Sequence, residues 1–235
     1  MTSAKNTTGV RRTTARTLRL GATARDRIAD VIRDEITNGV LVGGTRIDLD
    51  ETARELGTSR TPVREACLTL MHEGLVRISP RSGVTVIGLS SRDVEDNFAL
   101  MATLSGTAAA WAAERISTPQ MAEIRQLAED VRRAAHGTGD IQTANFLFHR
   151  AINHASGSVR LLALLRQTGR IIPPSFFDMV PEQVDCALDE HDAIVTAMAT
   201  REAAGARAAA EKHLVNAGRL LVTRLFGQAG QRGAG

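Results

Sequence analysis

The chain has 235 residues, 43% hydrophobic and 23% charged, which suits one large or two ordinary domains and excludes wholesale disorder. Aromatic residues make up 3% with no Tyr, so the core must rest on Leu, Ile, Val and Ala. No apolar run approaches the roughly 20 residues of a membrane helix, and the basic start lacks the apolar stretch of a secretory signal. Two distant cysteines, Cys67 and Cys186, make no disulfide framework; a reduced, cytoplasmic protein is expected.

The net charge of +3 hides an asymmetry. Residues 1–25 hold six basic side chains and no acid, leaving −3 for the remainder. Such an arm is either simply solvated or phosphate-seeking, and the second reading gains weight only if the next segment contacts nucleic acid.

From Asp26 to Thr37, Ile28, Val31, Ile32 and Ile36 mark one helical face, and Asn38-Gly39 supplies a stop. A second short helix is predicted from about Leu49 to Leu56, ended by Gly57. The next helix has Ser59 or Thr61 as its cap, Pro62 in its first turn, and an apolar stripe of Val63, Ala66, Cys67 and Leu70. Gly74 ends it, and "LVRI" and "VTV" follow as a hairpin across "SPRSG". Three helices and a hairpin make a winged helix-turn-helix over residues 26–88.

Residues 89–92 read as a hinge, and only helical patterns follow from 93 to 226. Predicted helices reach Ile116, start again at Thr118-Pro119, span Ile141–Ala155, begin near Val159, and cover about Glu182–Thr200 and Ala203–Phe226. "IIPPSFFDMVP" is irregular at least in part, and residues 227–235 read as a loose tail. The fold class is mainly α: a winged helix-turn-helix followed by an all-α bundle.

Arg60 and Arg64 lie four residues apart and therefore share a helix face opposite the apolar stripe. An N-terminal helix end carrying two guanidinium forks suits the major groove, where each fork can pair with guanine O6 and N7. Ser59 and Thr61 add hydroxyls suited to phosphate. Arg81 at the hairpin tip can reach the minor groove or backbone, with Gly83 permitting close approach. The stretch "ETARELGTSRTPVREACLTLMHEGLV" resembles the DNA-binding domain of the GntR family of bacterial transcription regulators. The resemblance implies Ser59, Arg60, Thr61 and Arg64 as contacts to double-stranded DNA, Arg81 and Gly83 in the wing, and Arg54 on the backbone. Asp50 stands where several members place a DNA-contacting arginine.

His149, His191 and His213 fall in three different predicted helices, and Asn145 precedes His149 by one turn. Three imidazoles and an amide oxygen converging in a bundle would suit a divalent, zinc-like metal, although scattered histidines are commonly just core or surface groups. "NFLFHRAINHASGS", "DEHDAIVTAM" and "AAAEKHLVNA" resemble the FCD ligand-sensing domain of the FadR-type branch. That resemblance implies a metal held by an aspartate and three histidines and used to grip a small carboxylate effector. His149, His191 and His213 take the histidine positions, and Asn145 replaces the aspartate. A metal-free pocket in which the histidines meet the effector directly stays open. Met101 and Ser105 replace an Arg and a Glu common in the branch; Arg166, Arg170 and Asn216 are candidate substitutes around an effector lined by Met101.

The expectation is a homodimeric repressor that reads a palindromic operator and responds to a small-molecule effector. A metal-dependent helical-bundle enzyme is the rival, weakened because no His-Glu-x-x-His or Glu-x-x-His is present and Glu190 is the only obvious base. An architectural DNA protein is the other. Deleting residues 1–20 should flatten the salt dependence of duplex affinity, read as the slope of log K against log salt. An unchanged slope would return the arm to simple solvation.

Overall fold

The computed structural model describes residues 23–80, 83–173 and 175–227. The N-terminal arm therefore lies outside the described residues up to residue 22, as do Arg81 at the wing tip and tail residues 228–235.

Helix α1 (Ala24–Thr37) starts two residues earlier than the periodicity suggests, because Thr23 and Asp26 form a reciprocal capping box. Strand β1 (Arg46–Ile47) leads into α2 (Leu49–Glu55), whose first turn is tied by the Asp48 carboxylate accepting from the N–H groups of Asp50 and Glu51. Gly57, at φ 61°, makes the sharp turn into α3 (Arg60–His72). Strands β2 (Val76–Ser79) and β3 (Gly83–Val86) pair in antiparallel register, Val76 opposite Val86 and Ser79 opposite Gly83. On its other side β3 pairs with β1, giving the order β1-β3-β2. The hairpin is thus a three-stranded wing sheet, since the two-residue β1 is too short to show a pattern.

Ile28, Ile32 and Ile36 of α1, Val63, Cys67 and Leu70 of α3, and Val76, Val84 and Val86 of the sheet close into one buried cluster. Each such side chain removed from water contributes roughly 1.5–3 kcal/mol. This core orients α3 so that its polar face is left outward.

The helical half starts at α4 (Ser91–Arg115), capped by Ser90 through a second capping box with Asp93. Its first turn overlaps the expected hinge, and Leu89 packs against both the N-terminal core and the cluster beyond it. There follow α5 (Thr118–Ala135), α6 (Ile141–Ala155) and α7 (Val159–Thr168). A 3-10 turn (Gly169–Ile171) and the short α8 (Phe176–Met179) make up the proline-containing stretch, and α9 (Gln183–Ala199) and α10 (Ala203–Phe226) complete the bundle.

Small residues set the helix spacing. A Cβ on Gly218 of α10 would lie 2.6 Å from the Phe98 Cβ of α4, so only glycine lets these helices approach so closely. Arg201, at positive φ between α9 and α10, donates to the carbonyls of Glu114 and Ile116 at 3.2 and 3.1 Å. It thereby satisfies carbonyls left open at the end of α4.

A buried ion network joins the two halves. Arg33 of α1 donates through Nε and Nη2 to Glu73, at 2.7 and 2.9 Å, and through Nη1 to Asp30 at 2.6 Å. Arg170 reaches the same Glu73 from the 3-10 turn. Ser175 Oγ donates to Asn38 Oδ1 at 2.9 Å, a second tie between the halves. Among the described residues no helix is long and apolar enough to cross a membrane.

Only about 6–7% of the Arg33 and Glu73 side chains is exposed, so loss of one partner strands a buried charge. Glu73→Ala should therefore destabilise the protein by ~3 kcal/mol or more in denaturant unfolding, whereas a change within about 0.5 kcal/mol would class the pair with weak surface bridges.

Candidate functional site

Two surfaces carry chemistry. The first is the N-terminal end of α3. Ser59, Arg60, Thr61 and Arg64 are all exposed, on the side opposite Val63, Cys67 and Leu70. Arg60, Thr61 and Arg64 line a shallow concavity with Glu65 and Leu68. Ser59 sits at the N-cap yet makes no side-chain capping bond, which leaves its hydroxyl available. Arg60 Nη1 donates to Asp50 Oδ2 at 3.2 Å, whereas Arg64 makes no hydrogen bond or ion pair among the described residues. Arg54 is exposed on α2. In the wing, Gly83 takes φ 75° at the start of β3, and a Cβ there would meet the Arg46 guanidinium at 3.4 Å. Arg46 thus adds a cation at the wing that no motif singled out.

The second surface is inside the bundle. His149 on α6, His191 on α9 and His213 on α10 each offer a ring nitrogen, and the three ligand atoms lie within 4.8 Å of one another. Ring centroids are separated by 5.0 Å (149–191), 5.0 Å (149–213) and 4.8 Å (191–213). Phe148 packs its ring 4.3 Å from that of His191.

Electrostatics follow from the packing. Burial, with a smaller push from His213, lowers the His149 imidazole to about 3. Burial also drives His191 well below its ordinary value, with His149 and His213 adding to the effect. At neutral pH both are uncharged, the form in which imidazole ligates a metal and in which it does not attract an anion. The same burial works against imidazolium forms of His149 and His191 that would attract an anion.

His213 is oriented by a partner. Its Nδ1 lies 2.8 Å from Glu190 Oε2, and Asn216 Nδ2 donates to the other carboxylate oxygen. Burial alone would raise the Glu190 carboxyl, but the hydrogen bonds from His213 and Asn216 outweigh it and hold the group below its usual range. A carboxylate at Glu190 accepts from the Nδ1 side of the ring, which turns Nε2 of His213 towards the cluster. That atom sits 3.2 Å from His149 Nε2.

The donor set fits a divalent cation. Among the described residues, both nitrogens of His191 and Oδ1 of Asn145 are buried without a hydrogen-bond partner, and a bound ion would accept the lone pair of one His191 nitrogen. Three neutral imidazoles and an amide oxygen are weaker than a set with a carboxylate, yet they match the preference of zinc-like ions for nitrogen. When bound, such a metal would be a Lewis-acidic anchor for an anionic oxygen.

The other effector candidates go elsewhere. Met101 is 5% exposed and packs in an apolar cluster with Phe98, Phe176, Phe177 and Leu214, beside the histidines rather than among them. Arg166 is exposed and donates to the Leu162 carbonyl, and Arg170 is engaged by Glu73. Neither arginine joins the cluster: α7 packs on α4, and Arg170 in the turn after it is drawn to Glu73 of the N-terminal half. Asn216 does approach, but as the partner of Glu190. The sequence reading missed the roles of Glu190 and Glu73; Gln183, buried with both amide atoms unpartnered, was also unanticipated. Each of these depends on inter-helix orientation, which periodicity does not carry.

Residues 24–86 match the gntR family of bacterial regulatory proteins, and residues 96–216 match the FCD domain. A Paenarthrobacter nicotinovorans protein named as a "probable D-xylose utilization operon transcriptional repressor" is 30% identical over 181 residues, 75% of this chain and 79% of that one. A transcriptional regulator from an Agrobacterium vitis ttuE-ttuC' intergenic region is 40% identical over 103 residues, 44% of this chain and 60% of its own length. The solved structure of Escherichia coli McbR/YncC superposes with a TM-score of 0.66 at 23% identity, covering 85% of this chain and 97% of that one, a likeness of fold. With both its segments matched, the chain belongs to the GntR family of bacterial transcription regulators, in its FCD-containing branch, a family of regulators and not of enzymes.

Proposed function

We propose that the protein is an effector-responsive repressor, with a DNA-reading domain over 26–88 and a sensing domain over 93–226, that binds a palindromic operator as a homodimer. The observation that carries the sensing half is the convergence of His149, His191 and His213 within 4.8 Å, with His191 and Asn145 Oδ1 otherwise unpartnered. These groups would hold a zinc-like ion, and because none of the four is a carboxylate the ion would keep its positive charge for a small carboxylate effector. On the DNA side, the exposed Ser59, Arg60, Thr61 and Arg64 supply hydroxyl and guanidinium donors to phosphates and base edges, with Arg54, Gly83 and Arg81 flanking.

The homodimer is supported by an uncovered apolar face. Leu100 on α4 and Val159 and Leu164 on α7 are 61%, 76% and 51% exposed, beside the small cluster of Ala108, Leu161 and Leu165. A two-fold copy of the same face would cover it, and two-fold symmetry mirrors a palindrome.

Coupling between the domains runs through the turn after α7. Its Arg170 and Ser175 grip Glu73 and Asn38, while Phe176 and Phe177 pack with Met101 and with Leu214, the neighbour of His213. An effector that favours one packing of this segment would bias the placement of α3.

Elemental analysis after zinc titration and gel filtration should find about one metal per chain in the wild type, and none in His191→Ala/His213→Ala; a wild type that takes up no metal contradicts the site. On a duplex selected from a randomised pool, Arg170→Ala should keep operator affinity but lose its change on adding small carboxylates. A response equal to that of the wild type would remove Arg170 from the coupling.

A further inference from the structure

Arg60 and Arg64 share a face of α3 but not a situation. Arg64 has no hydrogen bond or ion pair among the described residues, whereas Arg60 Nη1 lies 3.2 and 3.5 Å from the two carboxylate oxygens of Asp50. The two side chains are 64% and 65% exposed, so this pair adds little to stability. It is nevertheless firmly sited. Asp50 stands in the first turn of α2, which Asp48 caps, and Arg60 is the first residue of α3. The first turn of α3 contains no acid of its own, and the positive end of its dipole works against a cation there; a carboxylate from α2 offsets both.

We propose that Asp50 is a positioning and specificity-determining residue for DNA reading, holding the Arg60 fork in one orientation and excluding targets that offer only acceptors. The proposal rests on α3 being the helix that meets the duplex. A guanidinium has five N–H donors. With Nη1 engaged by Asp50, Nε and Nη2 remain for guanine O6 and N7, and less rotamer freedom is lost on binding. The carboxylate keeps lone pairs for an exocyclic amine, cytosine N4 or adenine N6, on the adjoining base pair. It repels keto oxygens and phosphates, so it works against binding that is independent of sequence. Asp50 therefore narrows sequence preference at the expense of general affinity.

The test is selection from a randomised duplex pool with the full chain as wild type, Asp50→Ala, Asp50→Asn, Arg60→Ala and the double variant Asp50→Ala/Arg60→Ala. Affinities for one selected and one scrambled duplex follow at several salt concentrations. Asp50→Ala should lose about five- to a hundredfold of discrimination at one guanine of the wild-type motif. It should also bind the scrambled duplex more tightly. Asp50→Asn, which keeps an acceptor without the charge, should fall between. In the Arg60→Ala background the Asp50 change should leave discrimination at that guanine unaltered, because a positioning residue has nothing left to position. Wild-type base preference in both Asp50 variants, or an Asp50 effect at that guanine that survives loss of Arg60, would overturn the proposal while leaving α3 as the reading helix. A wild type that enriches no duplex would overturn both.

Discussion

Burial of three imidazoles in one bundle is the constraint on which the sensing half turns. Desolvation disfavours the charged forms of His149 and His191, and every buried ring nitrogen needs a hydrogen-bond partner or an electron-pair acceptor inside the protein. His213 meets the demand through Glu190 and His149, whereas His191 has no hydrogen-bond partner among the described residues. A bundle that merely needed filling at this position would place an aliphatic side chain there, as it does at Ile194 and Met198 on the same helix. The unmet demand at His191 and Asn145 is what separates this cluster from ordinary core histidines.

The same half is tied to the N-terminal half through the segment after α7. Gly218 lets α10 approach Phe98 of α4 closely, and Leu214, the neighbour of His213, packs in one cluster with Met101, Phe98, Phe176 and Phe177. The segment carrying those phenylalanines starts at the 3-10 turn, where Arg170 meets the glutamate that closes α3. Glu73 serves two arginines at once, one within its own domain and one across the boundary. Breaking only the second leaves Arg33 paired, so the halves can part without stranding a buried charge.

Much of this was legible in the sequence, for local reasons. The bounds of α6 and α10 follow from Asp140 at one cap, Ser156 and Gly157 past one end, and Gly227 past the other. The stripe of Val63, Ala66, Cys67 and Leu70 fixed which side of α3 faces outward, and with it the exposure of Arg60 and Arg64. One helix per histidine left convergence only possible, and it was the resemblance to the FCD domain that put the three histidines on one ligand set. Strand β1 was invisible because two residues display no alternation. Directions of long side chains were also out of reach: Glu190 reaches His213 across 23 positions, Arg170 reaches Glu73 across 97, and Asp50 reaches Arg60 across 10. Asp50 was noticed only as an acid in place of an expected arginine, and its partner became apparent once α2 and α3 were packed.

The central claim is that His149, His191 and His213 form one metal centre within the sensing domain. X-ray absorption at the zinc edge of the zinc-loaded protein tests it most directly. The account predicts a first shell of three imidazole nitrogens completed by light oxygen donors. A shell with sulfur, or with fewer than two imidazoles, would place the metal elsewhere and contradict the claim.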